Sequence, residues 1–246
     1  MELRVTSPVT DLLPKPNTGR TRQLVYGEAF QVEQSDGDYA IGRASRDGYH
    51  GAILQSELGV SEPPTHRIAV PASHSYGSAD FKNPDAQPLS FGSQLRVVSA
   101  QGNFFETAQG RFVPKPHLRP LNAPFADPVT VAQMFFGTPY LWGGNSIWGI
   151  DCSGLVQMAF LSSGRDCPGD SGPQQDQLGR LLPPGSGFER GDLLFWKGHV
   201  ALVVDPHTLI HANAHHMAVA YEPLSDALRR IEEQGDGPLL AHKRVD

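Results

Sequence analysis

Cysteine is nearly absent from this 246-residue chain, which has two, Cys152 and Cys167. Two thiols cannot supply the disulfide framework on which small secreted domains rely, so a reducing compartment is the simpler setting. Charge is also sparse, with 19 % charged residues and a net charge of −6. The Lys and Arg residues form no basic block, which argues against a nucleic-acid partner. No run of about 18 apolar residues occurs, so no helical membrane span is encoded. The first 23 residues contain no apolar h-region and no small-residue cleavage signal, and do not read as a secretory leader. The expectation from these absences is a cytoplasmic protein without a membrane partner. What is plentiful is turn chemistry, with 26 Gly and 21 Pro beside 39 % hydrophobic residues. That composition suits a folded chain of many turns and short strands. The length suits one large domain or two to three small ones.

A weak repeat occupies residues 1–122. Residues 23–32 read QLVYGEAFQV and residues 88–97 read PLSFGSQLRV. At an offset of 65, Leu24 and Leu89, Tyr26 and Phe91, Gly27 and Gly92, and Val32 and Val97 fall in register, followed by Gly37 and Gly102 and by Tyr39 and Phe104. The copies close on GAILQSEL, ending at Leu58, and RFVPKPHL, ending at Leu118. Alternating apolar residues, Gly-containing turns and a length near 60 predict two small β-barrels, residues 1–62 and 63–122, joined near Pro63 and Pro64. The repeat resembles bacterial SH3-like (SH3b) domains.

From residue 123 to residue 246 the pattern changes. Residues 127–136, DPVTVAQMFF, carry an N-cap candidate and apolar residues at helical spacing, and residues 152–161 read as a second helix. Strand-like runs follow at 192–196, 199–204, 208–211 and 217–221, and residues 225–233 read as a short helix. Helices first and strands later predict an α+β domain with an antiparallel sheet.

The chemistry concentrates in residues 139–154, PYLWGGNSIWGIDCSG. Cys152 stands at the expected start of a helix, where unpaired N–H groups and the helix dipole favour a thiolate. Gly143, Gly144 and Gly149 let the backbone before it approach a substrate closely. Cys167 has no such context and reads as structural or incidental. His199 opens the strand GHVALV and suits a general base, since histidine titrates near neutrality. His211 lies in LIHA, and an adjacent antiparallel strand can bring it beside His199 to orient that ring. The set predicts a Cys152 thiolate paired with a His199 imidazolium. His211, His215 and His216 stand in HANAHH, whose i, i+4 spacing suits zinc if the segment is helical. With no HExxH and no partner carboxylate nearby, the expectation is no metal and no cofactor.

The stretches YLWGGNSIWGIDCSGLVQ, RGDLLFW, GHVALV and LIHA resemble the NlpC/P60 family of cysteine peptidases. The resemblance covers about residues 123–246 and implies a papain-like α+β fold. The whole is then a multidomain chain: two SH3-like β-barrels followed by a papain-like NlpC/P60 domain. The resemblance implies Cys152 as nucleophile, His199 as base and His211 as the third polar residue. It implies Tyr140 beside the oxyanion site, and Trp142, Asp151 and Ser153 at the substrate pocket. Family members cut cell-wall peptides, usually at γ-D-glutamyl–diamino acid amides. The domain order resembles cytoplasmic γ-D-glutamyl-L-diamino acid endopeptidases that recycle murein peptides. Asp170 and Ser171 match two residues of their R-D-S/A substrate segment, while Gly169 stands where the Arg is expected. In those relatives the first SH3b domain also walls the pocket with an acidic residue and a tyrosine, for which Glu28 and Tyr49 are the candidates here. The implied partner is a murein tripeptide or tetrapeptide with a free N-terminal L-Ala, met by a monomer. A wall-binding protein with a degenerate catalytic half, and an amidase or acyltransferase on the same scaffold, are the alternatives.

Overall fold

In the computed structural model, which describes residues 1–245, the sequence repeat of the N-terminal half is also a repeat of backbone geometry. Gly27 and Gly92 both adopt positive φ, at 78° and 83°, and Gly37 and Gly102 do so at 55° and 54°. A side chain at either pair would be strained, which is why glycine recurs there. The hydrogen bonds recur as well. Gly27 N–H donates to the Val5 carbonyl at 2.8 Å and Gly92 N–H to the Ile68 carbonyl at 3.0 Å. Glu28 N–H reaches the Val25 carbonyl and Ser93 N–H the Ser90 carbonyl, both at 3.1 Å.

Five strands in the order His50–Leu54, Tyr39–Ala44, Ala29–Asp36, Glu2–Val5 and Leu58–Gly59 form the first antiparallel sheet. Five more, Ala86–Ser90, Ala72–Tyr76, Phe112–Pro114, Phe104–Thr107 and Val97–Gln101, form the second. A 3-10 turn precedes the closing strand in each copy, at Gln55–Glu57 and at Lys115–His117. Each copy buries its own core. Leu12, Leu24, Phe30 and Ile53 fill the first, and Ile68, Leu89, Leu95 and Val113 the second.

The chain divides into two compact units, Met1–Pro124 with Asn145–Trp148, and the remainder. Asn145–Trp148 group with the first unit because Asn145 N–H donates to Gln23 Oε1 at 3.2 Å and Ile147 N–H to Ser90 Oγ at 3.0 Å.

In the second unit, whose elements are numbered on their own, helix α1 is Pro128–Gln133, α2 is Cys152–Ser162, α3 is Ser171–Gln177 and α4 is Leu224–Ile231. The strands are β1 Arg180–Leu181, β2 Leu193–Trp196, β3 His199–Asp205, β4 Thr208–Asn213, β5 Ala218–Pro223 and β6 Ala241–Arg244. They make one six-stranded antiparallel sheet in the order β1-β6-β2-β3-β4-β5. Asp127 caps α1 by accepting from Val129 N–H at 2.9 Å, with Pro128 preorganised for the first turn. Nearly every residue of α2 is buried, so it is a core helix enclosed on all sides. It packs against β3 and β4. Opposite, α4 lays Leu224, Ala227 and Ile231 on Ala201, Val203 and Leu209. None of the described helices is long and apolar enough to cross a membrane.

Candidate active site

Cys152 is the first residue of α2. The turn before it is built by Asp151, whose Oδ1 accepts from Gly154 N–H at 2.7 Å and from the Ser153 hydroxyl at 3.2 Å. Its Oδ2 accepts from Gly143 N–H at 3.0 Å. One carboxylate thus caps the helix and ties down the glycine loop. Gly143 holds φ at 70°, and a Cβ on Gly144 would meet the Gly149 carbonyl oxygen at 2.4 Å, so both positions require glycine. Ser153 is fixed from the other side, its carbonyl accepting from Gln174 Nε2 at 2.9 Å. The same amide sits 3.5 Å from the buried Cys167 sulfur.

Strand pairing places the histidines. Leu202 pairs with Ile210, and continuing that register sets His211 opposite Ala201, diagonal to His199 on the same face. Leu209 pairs with Glu222 and His211 with Ala220, so Glu222 is diagonal to His211 on that face as well. The result is a chain across three strands. His199 Nε2 lies 2.9 Å from His211 Nδ1, and His211 Nε2 lies 3.1 Å from Glu222 Oε2. Arg230 of α4 clamps Glu222 with Nη2 to Oε2 at 2.7 Å and Nε to Oε1 at 2.8 Å.

The proton positions follow from this chain. Burial works to raise the Glu222 pKa, but hydrogen bonds from Arg230 and His211 outweigh it and hold the carboxyl below its usual range. An ionised Glu222 only accepts, so His211 carries its proton on Nε2 and offers a bare Nδ1. His199 Nε2–H donates to that Nδ1, which leaves His199 Nδ1 as the basic nitrogen. Burial is the main cause pushing His199 down to about 3, with His211 and Arg230 adding to it against Glu222. Burial likewise lowers His211, against the Glu222 contact. These directions favour the neutral imidazole and count against the expected thiolate–imidazolium pair at rest.

A cavity of about 180 Å³ opens between the N-terminus of α2 and the sheet, lined by Tyr140, Cys152, Gly198, His199 and Asn213 among others. The Cys152 sulfur lies 3.9 Å from the Gly198 carbonyl oxygen. Of the residues implied by resemblance, Tyr140 lines this cavity. Asp151 and Ser153 are buried in the turn beneath it, with 5 % and 3 % of their surface exposed. Trp142 is 69 % exposed and lies outside the lining, as do Asp170 and Ser171 at the start of α3. Glu28 is turned inward in its barrel. Its carboxylate takes Val25 N–H at 2.8 Å and Arg46 Nη1 at 2.9 and 2.8 Å, so it is not a free acceptor for a substrate amine. Tyr49 packs against the first barrel core, with the Arg22 guanidinium 6.0 Å from its ring centroid. The ligand set that gathers is not the one HANAHH offers. Among the described residues, the ligand atoms of His211, His216 and Glu222 lie within 4.8 Å of one another. Both ring nitrogens of His211 and both oxygens of Glu222 are already engaged along the chain.

The NlpC/P60 family profile matches residues 137–230, which span Cys152, His199, His211, Glu222 and Arg230. Those residues are an NlpC/P60 domain. A profile of the bacterial dipeptidyl-peptidase SH3 domain matches residues 12–58, so the NlpC/P60 domain follows at least one SH3 domain. A γ-D-glutamyl-L-lysine dipeptidyl-peptidase of Bacillus subtilis is 28 % identical over 215 residues, covering 77 % of this chain and 71 % of that one. A dipeptidyl-peptidase 6 of Lysinibacillus sphaericus is 40 % identical over 91 residues, 35 % of this chain and 31 % of that one. The crystal structure of an NlpC/P60 family protein from Bacillus cereus superposes with a TM-score of 0.82 over 99 % of both chains at 19 % identity, a likeness of fold. With its NlpC/P60 domain and these relatives, the chain is a cysteine peptidase.

Glu222 and Arg230 escaped the sequence reading. Neither sits in a recognisable motif, and only the register of three strands and the seating of α4 bring them to the histidines.

Proposed function

We propose that this peptidase hydrolyses the γ-D-glutamyl–L-diamino acid amide bond of cell-wall peptides that carry a free N-terminal L-Ala, as a step in their recycling. The carrying observation is Cys152 at a helix N-terminus in one cavity with His199, whose basic nitrogen is set by His211, Glu222 and Arg230. The γ-D-glutamyl-L-lysine dipeptidyl-peptidases among the Bacillus relatives support the substrate class.

The steps follow from the geometry. His199 Nδ1 takes the Cys152 proton as the sulfur attacks the γ-carbonyl carbon of D-Glu. N–H groups in the first turn of α2, with the Tyr140 hydroxyl, stabilise the oxyanion, each donor lowering the barrier by about 3 kcal/mol. The carbon–nitrogen bond breaks and the leaving amine takes the proton back from His199. Water then gives its proton to His199 as it attacks the thioester, releasing L-Ala-D-Glu and free thiol. Asp151 and Ser153 hold the turn that presents the sulfur, while Trp142, Asp170 and Ser171 serve the rim at which the peptide enters. The shared glycine geometry and hydrogen bonds support reading residues 63–122 as a second SH3-like barrel.

The test is mass spectrometry after incubation with L-Ala-γ-D-Glu-diaminopimelate. Release of L-Ala-D-Glu and diaminopimelate by the intact chain, and not by Cys152→Ala, is expected. No cleavage of any γ-glutamyl peptide would sink this reading and favour a wall-binding role or another acyl chemistry on the scaffold.

A further inference from the structure

The cavity has a polarity that the reaction steps leave unused. His199 must return its proton to the leaving amine, so that amine lies on the His199 side of Cys152. Whatever the amine is attached to therefore meets the walls supplied by the sheet and α4. Those walls present Lys197, Asn213, His215, Arg230 and Gln234, and among the described residues no Asp or Glu lines the cavity. Two of the cationic groups differ in availability. The Arg230 guanidinium is committed to Glu222 and, through Nη1, to Gln234 Oε1 at 2.8 Å. Lys197 sits exposed in the Lys197–Gly198 turn, two residues from the base, and makes no hydrogen bond or ion pair among the described residues.

We infer that the leaving-group end of the cavity is a carboxylate subsite, with the Lys197 ammonium as its cation. This rests on the proposed γ-glutamyl peptidase reading and sharpens it. The preferred leaving residue bears a free carboxylate, either its own α-carboxylate or a second one on its side chain. A leaving residue whose only charged side-chain group is an ammonium gains nothing from Lys197 except through its α-carboxylate. The subsite also favours peptides ending at the diamino acid over those extended or amidated there.

The experiment compares L-Ala-γ-D-Glu-L-Lys, its C-terminal carboxamide, and L-Ala-γ-D-Glu-diaminopimelate with its α-carboxyl amidated. Each is tested on the full chain and on Lys197→Met, which keeps most of the length of the side chain and removes its charge. The full chain is expected to lose roughly three- to tenfold in kcat/KM on the carboxamide, as for one charge-assisted contact at a part-exposed site. Lys197→Met is expected to show no such loss. Recovery with the amidated diaminopimelate peptide assigns the contact to the side-chain carboxylate, and no recovery assigns it to the α-carboxylate. Equal discrimination by the full chain and Lys197→Met overturns the subsite while leaving the peptidase reading intact. A readout that needs no peptide substrate separates the two further: the ratio of Cys152 alkylation rates with iodoacetate and iodoacetamide, followed by mass of the Cys152 peptide. Lys197→Met should lower that ratio about threefold or more. An unchanged ratio overturns the subsite even if no peptide is cut.

Discussion

At the scale of single residues, the structure gives the two thiols different surroundings. Cys152 has a helix N-terminus and a cavity, whereas Cys167 is buried against Gln174. Cys152→Ala is expected to abolish peptide hydrolysis without moving the melting temperature by more than a degree or two, while Cys167→Ala keeps its turnover. Activity surviving in Cys152→Ala would remove the nucleophile assignment. The histidine chain makes a graded prediction. His199→Ala should cost about 10²–10⁴-fold in kcat, as for loss of a general base. His211→Ala should cost less, because water can accept the His199 N–H. Glu222→Gln should cost roughly tenfold in kcat with little change in KM, because it weakens the preference that leaves His199 Nδ1 bare. Saturation kinetics on the three variants give the order, and a Glu222→Gln enzyme of full kcat would show that the carboxylate sets no proton. Burial keeps His199 neutral far below pH 6.5, toward about 3, so the acid limb of kcat/KM is expected below pH 5. A limb centred near 6.5 would mark an ordinary, solvated histidine.

At the scale of elements, the least expected strand is β6. Its residues AHKR read as polar, yet it lies between β1 and β2 in the sheet. The polar groups are buried because each is matched. Asp192, 1 % exposed, accepts from His242 Nε2 at 2.7 Å and from Arg244 Nε and Nη2, both at 2.8 Å. Lys243 donates to the Gln175 carbonyl. Removing one partner strands the others in a low-dielectric setting, so Asp192→Ala is expected to cost about 3–5 kcal/mol. Denaturant unfolding of the variant measures this, and a loss under 1 kcal/mol would mean the network contributes only register. The helices and strands with apolar periodicity were legible: α1, α2, α4 and β2 to β5 fall within a few residues of expectation. The missed elements, α3, β1 and β6, are short or polar and have no hydrophobic period to read.

At the scale of the whole molecule, buried titration couples the site to stability. His199 and His211 are both held below their ordinary pKa, so the folded chain binds fewer protons than the unfolded chain below about pH 6.5. Stability is therefore full above that value and declines as pH falls from 6.5 toward 3. The depressed carboxyls of Glu222 and Asp192 add loss in the same direction at lower pH. Thermal melts between pH 7 and pH 4 should show a falling midpoint, less steep in His199→Gln. A second whole-chain prediction concerns Glu28. Because its carboxylate is held by Arg46 with both partners under 10 % exposed, Glu28→Ala should lower the melting temperature. It should leave unchanged the ratio of rates on free and N-acetylated L-Ala-γ-D-Glu-diaminopimelate. Loss of discrimination at an unchanged melting temperature would return Glu28 to the substrate.

The sequence by itself determined which residues are candidates for the chemistry. A cysteine after Gly-rich turns, two histidines at strand positions and a glycine repeat at offset 65 are local patterns, and local patterns are what backbone sterics and hydrophobic period write into a chain. Tertiary structure alone decided which nitrogen of His199 faces His211 and how deeply that ring is buried. Those depend on three strands in register, on an arginine from a later helix and on how much water is excluded, and none of these is a property of neighbouring residues. The same holds for Glu28, whose side chain reads as an available acid until the fold places Arg46 against it.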